Sequence, residues 1–283
     1  IGYLLYKIML LNKKSYKDIY KVMALYLYNP ITLMVSGYHG KFDNLSIVFL
    51  VLYLYILLKS QKIDPFSHLL YGISILMEQI TVFSIPYFFL KQKKIIKKLI
   101  FVIFISLPFL LSISFYIKDS LESIIKNVLL HHGSPNNWGY SRIIAYLTTV
   151  TPISYNPIFL KFIYTVIIII MFLLMFIYFY RNKNIKYLDG IIIAYLFYYV
   201  FTPGFGIQSL IWILPFAALK TLEVKKDYFF YGYTILGSIT ALLFYYGEAY
   251  KNFFIRDVLG MSLVGEPLWV LTIIWLIWYL NVK

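Results

Sequence analysis

Apolar residues run along this chain in long blocks, and the polar breaks between blocks divide it into segments of membrane length. A partial helix covers residues 1–11. Further spans are expected over residues 20–37, 44–58, 100–117, 157–180, 187–202, 207–219, 228–247 and 267–280. The block at 158–180 carries a single charge, Lys161, and exceeds the ~20 residues a membrane helix needs. Residues 67–90 behave differently, because Glu78-Gln79 interrupts them and basic or polar flanks lie on both sides. A single span cannot begin and end on one side of a membrane. The charge pattern therefore predicts two short helices, up and back, with Glu78-Gln79 at the apex. The competing reading is one full span with a loop misassigned elsewhere.

The lysines and arginines arbitrate. Lys13, Lys14, Lys17, Lys21, Lys59 and Lys62 fall on one face. So do Lys91, Lys93, Lys94, Lys97, Lys98, Arg181, Lys183, Lys186, Lys220, Lys225, Lys226 and Lys283, provided the hairpin is accepted. Positive charge marks that face as cytoplasmic. The opposite face then holds residues 38–43, the long loop 118–142, the turn 202–206 and the loop 248–266. His39, His131, His132, Trp138 and Arg142 lie there, while His68 lies on the inner side. The expected location is the cytoplasmic membrane, with the chemistry facing outward.

Composition agrees with this reading. The chain is 61% hydrophobic and 13% charged, where a soluble domain carries about 25% charged residues. An all-α polytopic transmembrane protein with about nine to eleven membrane helices, short re-entrant ones included, is expected. The net charge of +14 raises the question of nucleic acid. The cations sit in short loops between spans, which is a topology signal, so no nucleic-acid partner is implied. The absence of cysteine excludes disulfides and thiol chemistry. Four histidines without HExxH-type spacing imply no zinc site and no cofactor, a divalent metal being left open. No internal repeat is evident, so the chain reads as a single transmembrane domain over 1–283. It begins at Ile1, inside an apolar segment, and reads as a fragment missing its natural N-terminus.

Ionisable groups are costly in so apolar a chain, which makes those near span ends candidate site residues. His39 and Asp43 are four apart and share a face if helical. They form a polar pocket at the outer surface, or else Asp43 or Asn44 caps the next helix. Glu78 needs water, a partner or a substrate at the hairpin apex, or is a buried protonated carboxyl. In the loop HHGSPNNWGYSR, Arg142 is a good bidentate donor to phosphate. Trp138 either stacks on a sugar or isoprenoid or anchors at the interface. In FTPGFGIQSLIWILP, Gln208 opens a helix whose amides suit an anion, or it satisfies a tight helix connection.

Four pieces in order, NPITLMVSGYHGKFD, GISILMEQITVFSIP, WGYSR and PGFGIQSLIWILP, cover most of residues 20–219. Together they resemble the GT-C superfamily of polyprenol-phosphate-sugar-dependent glycosyltransferases, and most closely the bacterial branch similar to GPI-anchor mannosyltransferases. The resemblance implies transfer of a hexose, often mannose, from a polyprenyl-phosphate donor outside the cytoplasmic membrane. The acceptor would be a lipid-linked glycan, a glycolipid or a protein. A carboxylate would take the proton of the acceptor hydroxyl, and cationic groups would offset charge on the departing lipid phosphate. The family's usual catalytic Asp lies in a first external loop that this chain lacks, so the catalytic residue is unknown. The family often carries a basic residue where this chain has Glu78. The substrate-binding set expected on this basis is His39, Asp43, Glu78, Gln79, Trp138, Arg142 and Gln208. A transporter or flippase of a lipid-linked saccharide is the alternative. It would show polar residues through the midplane and repeat symmetry, of which only Glu78 is seen.

Overall fold

The computed structural model describes residues 1–38, 44–60, 64–115, 138–150, 157–204, 206–224 and 227–281. Every regular element among them is a helix. The first two, α1 (Gly2–Leu11) and α2 (Tyr16–Leu27), follow each other across a short turn, and Ser15 caps α2 by accepting from the Asp18 amide. The expected span at 20–37 is divided. Proline lacks an amide and pushes the preceding residue into extended backbone, so α2 stops before Asn29-Pro30. Asn29 fills the gap by accepting from the Ile31 amide at 3.0 Å and donating to Thr234 Oγ1 at 3.1 Å. One turn, α3 (Pro30–Thr32), follows, and the chain then winds as a π-helix over Leu33–Tyr38.

The next elements are α4 (Asn44–Ser60), α5 (Pro65–Met77), a 3₁₀ stretch Gln79–Ser84 that runs into α6 (Ile85–Lys91), and α7 (Ile95–Ser114). Helix α7 starts earlier than the expected 100–117, because Lys97 and Lys98 are good helix formers and Lys98 lies over the Phe89 ring at 5.0 Å. Glu78 is extended, with φ −156° and ψ 127°, and the chain turns back there. The Tyr71 hydroxyl donates to the Thr81 carbonyl at 2.7 Å, and the Tyr71 and Phe88 rings lie 5.1 Å apart. A straight helix would hold Tyr71 and Phe88 roughly 25 Å apart. The two-legged hairpin is therefore the form this segment takes, and α5 packs between α4 and α7. At Gly72 the fit is close: a Cβ there would lie 2.5 Å from the Ile105 carbonyl oxygen.

The second half contains α8 (Gly139–Val150), α9 (Pro157–Arg181) and α10 (Tyr187–Phe201). A 3₁₀ stretch, Ile207–Ile211, precedes α11 (Leu214–Lys220), which is followed by α12 (Tyr228–Ala249). A π-wound segment, Phe254–Val264, then leads into α13 (Gly265–Asn281). Two expected loops are thus helical in part. Residues from Gly139 onward form α8, and most of 248–266 is π-helix packed along α12. Helix α10 runs through the centre of the molecule, buried at nearly every position from Gly190 to Val200. Its Gly190 lies flat against the Tyr87 ring, where a Cβ would overlap it.

Four stretches, Ile95–Ser114, Phe159–Arg181, Tyr228–Ala249 and Phe254–Asn281, are long and apolar enough to cross a membrane. The protein is a helical membrane protein. Its basic loops gather at one end. Lys91 donates to the Lys183 carbonyl at 2.9 Å, and Tyr87 donates to the Ile185 carbonyl at 3.0 Å. Lys220 pairs with Asp189 at 2.6 Å and with Glu223 at 2.7 Å. Leu11, Asn12, Lys59 and Tyr187 line a common cavity at the same end. Both legs of the hairpin thus have their outer ends on the basic side, as the charge pattern predicts.

Candidate functional site

The far end of α10 organises the candidate site. Here the helix stops at Thr202-Pro203, because proline cannot continue it. Thr202 Oγ1 donates to the Gly204 carbonyl at 2.7 Å, which satisfies part of the buried turn. Trp138 donates through Nε1 to the Tyr199 carbonyl at 3.0 Å, and Trp269 does the same to Val200 at 3.2 Å. These two indoles cover the carbonyls that the ending helix leaves without intrahelical partners. Gly139 makes this possible. It adopts φ +51°, and a Cβ there would sit 2.5 Å from Trp269 Nε1.

This end is recessed. Gly265 lies beside Trp138 and Thr240, with its Cβ position 3.6 and 3.9 Å from them. Thr240 is about 18 Å along α12 from its start, and roughly 13 Å of helix continue beyond it. The turn and the WGYSR segment therefore lie well below the tip of α12, not in a surface loop. Irregular backbone at such depth is tolerated where protein covers it.

Around this point the structure brings together three of the motif pieces. Glu78, at the hairpin apex, is half-buried in the neighbourhood of the Tyr198 hydroxyl, and Phe83 of the following leg meets the Tyr198 ring at 4.7 Å. The Tyr198 hydroxyl is in hydrogen-bonding reach of Thr202 and Ser209. Tyr199 donates to the Ser209 carbonyl at 2.6 Å. Gln208 is half-buried and folds its amide over Gly206, so it serves the connection between α10 and α11. Gln79 begins the 3₁₀ leg of the hairpin. His39 and Asp43 lie outside the described residues. Their neighbours Ser36 and Asn44 are joined by a hydrogen bond from the Asn44 amide, and the Asn44 Oδ1 is buried without a partner. Asn44 therefore does not cap α4 through that oxygen. Tyr38 meets Tyr245 edge-on at 5.4 Å, near the far end of α12.

A charged layer lies against the WGYSR segment. Arg142 donates to the Asp257 carbonyl at 3.3 Å and interacts with Glu266. Glu266 faces the Gly139 amide, and its Oε1 is buried without a hydrogen-bond partner. Arg256 pairs with Asp257 at 2.6 Å and with Glu248. Both π-wound segments among the described residues, Leu33–Tyr38 and Phe254–Val264, pack against α12 near this end. Such windings are rare and concentrate at functional sites.

Trp138 is only 1% exposed, and its indole nitrogen is committed to α10. Its ring packs this layer instead of presenting an open stacking platform. Glu266, Asp257 and Tyr198 were not singled out from the sequence. Glu266 carried a usable signal as an acid at the start of an apolar helix. Asp257 and Tyr198 gave none, because only the fold brings them to Arg142 and Glu78. No group of three or more His, Asp or Glu side chains suited to a metal ion occurs among the described residues. No protein-family model matches the chain, and no curated protein or solved structure matches it.

Proposed function

We propose that this protein is a GT-C-like membrane glycosyltransferase with about nine to eleven membrane helices. In this reading it moves a hexose, mannose in the first instance, from a polyprenyl-phosphate donor to a lipid-linked, glycan or protein acceptor. The site faces outward across the cytoplasmic membrane. One observation carries the proposal. The hairpin apex, the WGYSR segment and the PGFGIQ turn are far apart in sequence, yet all meet the end of α10 opposite the basic loops.

The chemistry follows from what is gathered there. Arg142 is held by the Asp257 carbonyl and keeps its planar fork of donors, suited to the phosphate that leaves with the polyprenol. Glu78 and Tyr198 supply a polar spot for sugar hydroxyls in an otherwise apolar layer. His39 and Asp43, outside the described residues, are assigned to the donor or acceptor pocket. Gln79 and Gln208 are assigned to its lining, Gln208 from the connection between α10 and α11. The base that takes the acceptor proton is unassigned.

The test uses the purified full chain in proteoliposomes with radiolabelled polyprenyl-phosphate-mannose and a crude lipid acceptor extract. Label appearing in a new product supports the proposal. Movement of labelled lipid between leaflets, with no transfer from several polyprenyl-phosphate sugars, refutes it in favour of a lipid-linked-saccharide flippase.

A further inference from the structure

At the basic end, away from the site just described, lies a cavity of about 780 Å³. Its walls come from the end of α9 (Tyr178, Arg181), the turn that follows, the start of α10, the end of α11 and the end of α13. Four cations, Arg181, Lys183, Lys186 and Lys220, line it against two carboxylates, Asp189 and Glu223. The carboxylates are spoken for. Lys220 binds both, at 2.6 and 2.7 Å, and Lys186 reaches Glu223 at 3.4 Å. Among the described residues no carboxylate pairs with Arg181 or Lys183.

Cations that follow a span usually need no more explanation than topology. Two further observations set these apart. They border one half-open cavity together instead of projecting singly into water. In addition, Tyr279, which lines the same cavity and is 6% exposed, has a buried hydroxyl with no hydrogen-bond partner. A buried hydroxyl left unpaired is costly unless something arrives to pair with it. The rest of the wall combines Asn182 and Asn184 on the turn with an apolar and aromatic side that includes Ile193 and Trp278. Cationic donors beside an indole and an alkyl surface fit an amphiphile with a phosphate head.

We propose that this cavity binds a phosphate-bearing anion, supplied by the headgroup of an anionic membrane lipid or by soluble phosphate. Arg181 and Lys183 meet the phosphate oxygens, while Lys220 stays neutralised by its two carboxylates. The volume accommodates a whole glycerophosphate headgroup. A lipid source would also place an acyl chain along the exposed surface of α9.

The experiment measures thermal unfolding of the purified full chain in phosphatidylcholine-doped detergent. Phosphatidylglycerol is titrated in one arm and inorganic phosphate in the other. The Arg181→Gln/Lys183→Gln double variant is run in parallel, and Tyr279→Phe as a milder second variant. Both cations are exposed, so the double variant should melt like the wild type in phosphatidylcholine alone. A stabilisation of several degrees by phosphatidylglycerol alone, with roughly tenfold weaker apparent affinity in the double variant, supports the site with a lipid source. The same loss of affinity with both ligands active supports the site with a soluble source. No stabilisation by either ligand, or equal stabilisation of wild type and both variants, overturns the proposal.

Discussion

Gly139→Ala tests whether the WGYSR segment is seated as described. Two separate costs arise at this position. The first is conformational, because φ is +51° and an L side chain in that region costs about 1–2 kcal/mol. The second is steric. A Cβ would lie 2.5, 2.6 and 2.7 Å from three atoms of the Trp269 indole. That ring cannot simply step aside, since its Nε1 donates to the Val200 carbonyl at 3.2 Å. Overpacking of this kind costs about 1–3 kcal/mol. Together the two come to about 3 kcal/mol, which corresponds to a fall in melting temperature of roughly 6–12 °C for a chain of this size. Gly37→Ala is the control, because a Cβ there has nothing within 4 Å and no positive φ to satisfy. It should melt within about 2 °C of the wild type. A double-mutant cycle with Trp269→Ala separates the two costs. Removing the indole should cancel the steric part and leave the conformational part, giving a coupling of about 1–3 kcal/mol. If Gly139→Ala melts with the wild type, or if the cycle shows no coupling to Trp269, the described seating of this segment is wrong.

Three other outcomes are expected. Asp43→Asn should lower sugar transfer without changing the melting temperature, and normal turnover in that variant would remove Asp43 from the site. Lys220→Met should destabilise by about 2–4 kcal/mol, read by denaturation, because Asp189 and Glu223 are left facing each other, partly buried. Adding Asp189→Asn and Glu223→Gln should restore most of that loss, and a triple variant as unstable as the single one would contradict the ion-triad account. Burial alone would raise the Glu223 carboxyl, but Lys220 and then Lys186 outweigh it and hold the pKa below the ordinary 4.5. A lowered carboxyl stabilises the fold above its unfolded pKa and ceases to do so as pH falls through the folded value. Stability should therefore drop on acidification below about pH 4.5, and Glu223→Gln should remove that portion of the slope. Burial raises the neighbouring Asp227 instead, so its contribution runs in the opposite direction and survives in the Glu223→Gln profile.

The hairpin at Glu78 was legible because charge placement is a global constraint: two basic flanks force a reversal between them. The same logic put the loops after α6, α9 and α11 on one face, where Lys91 meets Lys183 and Lys220 meets Asp189. What the sequence hid has a different character. Asn29-Pro30 lies inside an apolar run that hydropathy reads as unbroken, although proline chemistry divides it. The π-winding of Phe254–Val264 leaves no residue signature, since it depends on packing along α12. Trp138 offered a choice between ligand platform and anchor, and only the carbonyl of Tyr199 decides for burial. Glu78 was identified as a costly carboxyl, but its companion Tyr198 sits among a run of aromatics with nothing to distinguish it.

The legs of the α5–α6 hairpin carry a consequence for how the protein is made. Leg α5 has 13 residues, and the 3₁₀ stretch with α6 adds 6 and 7 more. Each leg is about 20 Å long, short of the ~30 Å hydrocarbon core. Neither can settle in a bilayer alone while it emerges from the ribosome, because its broken middle would expose backbone and Glu78 to lipid. The hairpin must wait at the membrane surface until α7 has been synthesised and can close against α5 beside α4. The leg lengths thus predict insertion out of sequence order here, with α4 and α7 seated before the segment that joins them.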